Sequence, residues 1–203
     1  MKINEEIVNR ALEAAGQERL TDKDKETNSS RWRLIQDSYL SLILSTLSKT
    51  TWTSQLKRTR LYPSEEAENL SDYAFVYILP ADCARVEGLR DEGEYIVEGI
   101  YLYTNSADAI LIYVSNGYTS TPIKGDDYEN YVDLNFDAPL SEYLEKALAS
   151  KIALKITGDA NLSNMLFNQA LLSEAQAKKA SLEAAHSKDK GEQWWGDLIG
   201  LNV

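Results

Sequence analysis

Apolar residues recur at three- and four-residue steps near both ends of the chain, and in short runs through its middle. Ile3, Ile7, Val8, Ala11, Leu12 and Ala15 make one helical stripe, and Gly16 stands where a helix-ending glycine belongs. Positions 22 to 30 carry no apolar residue and read as a polar loop. Ser29 or Ser30 then caps a second predicted helix, with the stripe Trp32, Ile35, Tyr39, Leu42, Ile43 and Leu47. These large side chains place that helix at the centre of the core.

From Tyr73 the period changes. Tyr73 to Leu79 is aromatic and β-branched, and Pro80, which has no N–H to donate, stops it. Short strands are predicted at Cys83 to Leu89, Tyr95 to Glu98, Ile100 to Thr104 and Ala109 to Val114. The connections between them (Asp91-Glu92-Gly93, Glu98-Gly99, Asn105-Ser106), and Asn116-Gly117 after the last, have turn chemistry. Strands this short with tight connections form an antiparallel meander or a small sandwich. Helical spacing returns at Pro139 through Leu140, Tyr143, Leu144, Ala147, Leu148 and Ile152, ending near Gly158. An Ala-rich helix follows from about Ala160 to Ala185, with Leu162, Leu166, Ala170 and Ala177 on one side.

The expected fold is α+β: a four-helix bundle with an inserted antiparallel β-domain and an extended C-terminal tail. In this division 1–58 and 138–186 form the bundle, its first and last helices packed together. Residues 59–137 form the insert. Residues 187–203 form the tail, with 187–192 as a charged linker.

Charge narrows the partners. Thirty-two acidic residues outnumber 21 basic ones, for a net charge of −11. Proteins that grip nucleic acid neutralise phosphates with clustered Lys and Arg, so sequence-specific DNA readout is not expected. The one basic cluster, Lys57-Arg58-Arg60, reads as a solvated helix end. The chain has no apolar run of membrane-spanning length. The segment Met1 to Glu6 lacks the apolar core of a signal peptide, which points to a protein made in the cytoplasm and not exported.

Candidate chemistry adds little. Cys83 is the single cysteine and His186 the single histidine, so an internal disulfide and a zinc site are not expected. His186, next to Ser187, Lys188 and Asp189, reads as solvated surface. Cys83 reads as a small packed hydrophobe at a strand start. Glu98 and Asp108 read as solvated turn carboxylates. Asp126, Asp127 and Glu129 lack the alternating oxygen ligands and glycine of a calcium loop. The scattered glycines build no phosphate cradle. No catalytic residue, cofactor or metal site is expected, and no enzyme class stands out.

Several stretches, in order, resemble the head-to-tail adaptor family of tailed bacteriophages, called tail tubular protein A in some short-tailed phages. They are the glycine-closed helix Ile7 to Gly16, the segment Ser48-Lys49-Thr50-Thr51-Trp52-Thr53 with a Trp after the long helix, and Tyr77-Ile78-Leu79-Pro80-Ala81-Asp82-Cys83-Ala84-Arg85-Val86. The last is the most specific, similar to the family's aromatic–x–Leu-Pro-x-Asp-Cys-x-Arg-Val strand. Ile100 to Thr104, Leu111 to Val114 and the helix Pro139 to Thr157 continue the likeness over about residues 3 to 175. Thr53 stands where the family often has an aromatic or aliphatic residue, and Trp194-Trp195 has no counterpart. The resemblance implies a structural virion protein in the phage neck, between head and tail. It implies a ring of about twelve copies beneath the portal protein, linked to tail or nozzle proteins. Genomic DNA would pass through the bore without specific binding, and no membrane would be involved.

The C-terminal segment is a candidate protein interface through Trp194, Trp195, Leu198, Ile199 and Leu201. Burying two Trp side chains roughly offsets the entropy of ordering the segment, so the three aliphatics must be buried with them. The segment either folds back on its own bundle or docks on a neighbouring subunit or the portal, and docking is the favoured reading. Two other functions stay open. One is another neck component, such as a stopper or tail-completion protein. The other is a small-molecule binder or enzyme with a pocket of Tyr73, Tyr77, Tyr101, Tyr103 and Tyr113, although such tyrosines ordinarily form cross-strand pairs.

Overall fold

The computed structural model describes residues 3–64, 69, 71–117 and 134–198, with 186–198 described through the backbone alone. Within them the chain is mixed helix and sheet: five α-helices and two antiparallel three-stranded sheets. It divides into two units. One comprises Ile3–Ile43, Trp52–Ser54 and Asn135 onward, and the other Leu44–Thr51 and Gln55–Leu134.

In the first unit, α1 (Glu5–Ala14) is capped by Asn4, whose side-chain oxygen accepts from the amides of Glu6 and Ile7 at 3.1 and 3.3 Å. Gly16, at φ +69°, lets the chain leave the helix, and the Gln17 amide returns to the Leu12 carbonyl at 2.8 Å. The predicted stripe Ile7, Val8, Ala11 and Leu12 is buried. A short helix, α2 (Asp22–Glu26), occupies the stretch expected to be loop. A reciprocal Thr21–Asp24 capping box supplies the local hydrogen bonds that hold its single turn, so no apolar stripe is needed. α3 (Ser30–Lys49) begins where Ser29 Oγ accepts from the Trp32 amide at 3.1 Å. Its Ile35, Tyr39, Leu42 and Ile43 are buried, and the Tyr39 hydroxyl accepts from the Asn4 amide at 3.2 Å.

α4 (Ala138–Thr157) starts at the Asp137 cap with Pro139 in its first turn. It ends at Gly158, φ +74°. Asp159, the next residue, caps α5 (Ala160–Leu198), so the two helices form an antiparallel hairpin. α1 packs on α4, and α4 on α5. The charged linker expected at 187–192 is corrected, because the backbone of α5 continues through it. The stretch holds no proline, Lys188, Lys190 and Glu192 favour helix, and Gly191 costs only about 1 kcal/mol against Ala.

The second unit holds the strands β1 (Leu56–Arg60), β2 (Phe75–Ile78), β3 (Cys83–Leu89), β4 (Tyr95–Glu98), β5 (Tyr101–Thr104) and β6 (Ile110–Ser115). Their orders are β1-β6-β3 and β2-β5-β4. Both sheets contribute to one apolar cluster of Leu61, Tyr77, Leu89, Leu102, Ala109, Leu111 and Tyr113, which makes the unit a small sandwich. Lys57-Arg58-Arg60 is corrected from helix end to strand β1, which crosses the expected boundary at residue 59. Pairing with β6, from Leu56↔Val114 to Arg60↔Ile110, overrides the low strand propensity of its basic residues.

Candidate functional site

The stretch Tyr77 to Val86 is held in place through the side chains of Asp82 and Arg85. Pro80 ends β2, and the Cys83 amide donates back to the Pro80 carbonyl at 2.9 Å. The resulting turn brings buried Asp82 against β1 and β6. Its Oδ1 accepts from the Tyr113 hydroxyl at 2.9 Å, and its Oδ2 from Ser115 Oγ at 2.7 Å and Lys57 Nζ at 2.8 Å. The Asp82 carbonyl accepts from the Asn116 amide at 2.9 Å. One carboxylate thus ties the β2–β3 turn to two strands.

Burial alone would raise the Asp82 pKa, but the hydrogen bonds from Lys57, Ser115 and Tyr113 outweigh it and hold the carboxyl below its ordinary value. Burial, together with the adjacent carboxylate, pushes the Tyr113 phenol upward. Burial and the Asp82 charge push the Cys83 thiol up to about 11. A thiol held protonated at neutral pH is a poor nucleophile, and a carboxylate occupied by three donors is a poor general base. Arg85, four residues after Ala81 in the same motif, donates to the Lys49 carbonyl at 2.9 Å, a cation at the C-terminal end of α3. Thr51 Oγ1 donates to Glu87 Oε2 at 2.7 Å nearby. The sequence signal for this network is Asp after Pro-Ala at a strand start; its partner Lys57 lies on a strand that periodicity missed.

Tyr77 and Tyr113 lie inside the apolar cluster, with the Tyr77 hydroxyl donating to the Ser106 carbonyl at 2.6 Å. Tyr101 and Tyr103 are neighbouring rings on β5, with centroids 6.5 Å apart. Of the two turn carboxylates, Asp108 pairs with Arg60 at 3.2 Å, and Glu98 is exposed at the end of β4. Asp126, Asp127 and Glu129 lie outside the described residues.

In the helical unit, Trp52 is buried and stacks on Tyr143 of α4, with centroids 6.4 Å apart and planes 18° from parallel. The Thr53 amide donates to Ser181 Oγ of α5 at 3.0 Å. A groove of about 470 Å³ opens between α1 and the start of α4, lined by Arg10, Phe136, Glu142 and Glu145 among others. Arg10 fills its polar side, pairing with Glu6 at 2.6 Å and Glu145 at 3.1 Å. Burial raises the Glu145 pKa against the opposing pull of Arg10.

Of the predicted interface residues, Trp194, Trp195 and Leu198 fall on the last turns of the α5 backbone, and Ile199 and Leu201 lie outside the described residues. His186 also lies on α5 rather than at its end. Earlier on the same helix Phe167, Leu171, Leu172 and Leu182 are exposed, a feature that the Ala-rich reading understated. Among the described residues no helix is long and apolar enough to cross a membrane, and no three His, Cys, Asp or Glu cluster as metal ligands. No protein-family model matches the chain, and no curated protein matches it significantly.

Proposed function

We propose that this chain is a structural subunit of a tailed-phage neck, a head-to-tail adaptor that forms a ring beneath the portal and joins it to the tail. The observation that carries this reading is the use of the adaptor-like stretch. Its Asp82 and Arg85 bind a lysine, a tyrosine, a serine and a helix end, so the motif builds a rigid scaffold. The ordered resemblance from residue 3 to about 175 supports it, as does the mixed architecture of long helices with a β unit between them in sequence.

In this reading the helices act as a bundle that makes the ring wall. The C-terminal segment with Trp194 and Trp195 docks on the portal or a neighbouring copy, and the β unit meets tail proteins. The net charge of −11 repels the phosphate backbone, so a duplex passes the bore without being held. The test is assembly. Purified chain mixed with a portal assembly forms a complex visible by electron microscopy, whereas a chain ending at Lys190 folds but is not recruited. Turnover of a substrate, or micromolar DNA affinity at physiological salt, argues against the reading.

A further inference from the structure

An edge strand offers unpaired N–H and C=O groups to any strand that approaches it, and proteins commonly guard such edges. Among the described residues the β unit has four, because β1 and β3 bound one sheet and β2 and β4 the other. Three are guarded. The edge of β2 is bridged by Pro63 opposite Tyr77, and the Ser64 amide donates to the Val76 carbonyl at 2.9 Å. β3 is interrupted by two register shifts, between Cys83 and Arg85 and between Val86 and Gly88. β1 carries exposed Lys57, Arg58 and Arg60.

β4 is different. Ile96 and Val97, on opposite faces by the two-residue period, are 46% and 39% exposed, and Ile78 and Ile100 beside its hairpin are 47% and 60% exposed. Its acids stand only at the ends, as exposed Glu94 and Glu98. Among the described residues no strand pairs with its outer side.

We propose that copies of this chain associate edge to edge, with β4 of one copy pairing with β1 of the next. Charge selects the partner. Arg58 and Arg60 share one face of β1, as Glu94 and Glu98 share one face at β4, so joining the two edges sets opposite charges across the new ladder. Pairing β4 with β4 would oppose acids, and β1 with β1 would oppose cations. The contact is therefore heterologous, and each added copy leaves one free β1 and one free β4, the geometry that builds a closed ring where the rotation between copies closes and an open filament where it does not. This deepens the adaptor reading, resting on its account of the chain as a subunit of a homo-oligomer and naming the surface involved.

The full chain and three variants (Val97→Lys, Arg58→Glu and Glu98→Lys) are followed by sedimentation over a range of concentrations, with thermal melting as the check on folding. The parent chain is expected to assemble with rising concentration. Each variant is expected to weaken self-association by at least about tenfold with an unchanged melt. Mixing the Arg58→Glu and Glu98→Lys chains restores assembly, because each then meets the opposite charge. A parent chain that stays monomeric overturns the proposal, whether another partner or another part of the chain covers β4. Variants that assemble like the parent, or a mixture that stays monomeric, overturn it too. Recruitment of a solution monomer to the portal would leave the neck reading standing while this inference fell.

Discussion

The Tyr113 hydroxyl, on the middle of β6, donates to Asp82 Oδ1 at 2.9 Å across 31 positions of sequence. Lys57 and Ser115 meet the other oxygen, so the carboxylate closes the turn onto two strands at once. Removing one neutral donor with Tyr113→Phe should cost about 1 kcal/mol. Asp82→Asn removes the charge on which all three donors converge and should cost about 2–4 kcal/mol. Urea denaturation of the parent and both variants measures the difference.

The same carboxyl predicts an acid dependence. Its folded pKa lies below its unfolded value, so its stabilisation is present above the ordinary carboxylate range and is lost as pH falls through the folded value. Asp82→Asn should accordingly lose little further stability from this site on acidification. Urea midpoints from pH 7 to pH 3 should therefore converge between variant and parent. A constant gap over that range would count against the network.

Cys83 carries the opposite sign. With its thiol pushed up to about 11, the unfolded chain ionises first as pH rises, so stability falls from about pH 8.5 toward that value. Cys83→Ala should remove this alkaline component. A disulfide thiol reagent at pH 8 should label Cys83 slowly in the native chain and rapidly in denaturant.

Gly158 is the hinge of the α4–α5 hairpin. A Cβ there meets nothing within 4 Å, so the cost of Gly158→Ala is conformational, about 1 kcal/mol for a residue at φ +74°. Gly158→Asn should recover part of it, because Asn tolerates the left-handed region better. Chemical denaturation resolves the order Gly, Asn, Ala.

Trp52 is 1% exposed and stacked on Tyr143, so Trp52→Ala should destabilise the helical unit by about 3–5 kcal/mol. Trp52→Phe should cost less, since it keeps a ring against Tyr143. The drop in melting temperature, followed by circular dichroism at helical wavelengths, reports both.

Much of the secondary structure was legible because it is set by neighbours in sequence. The stripe of α1 and its closing Gly16, the Asp137 cap before Pro139, and strands β2 to β6 are each written within a turn or a strand length. α2 escaped because a capping box, not an apolar face, holds its single turn. β1 escaped because Lys57, Arg58 and Arg60 read as a solvated surface until β6 supplies their backbone partners.

The sequence by itself determined where most helices and strands lie, with α2, β1 and the far end of α5 excepted, that the protein is strongly acidic, and that it carries one cysteine and one histidine. Only the tertiary structure decided that Asp82 gathers Lys57, Tyr113 and Ser115, that α4 takes α1 as its neighbour, and that among the described residues no strand pairs with the outer side of β4. The reason is one of range. Periodicity and caps act over about four residues, whereas strand pairing and buried ion contacts join positions that the chain brings together only when both sheets have formed.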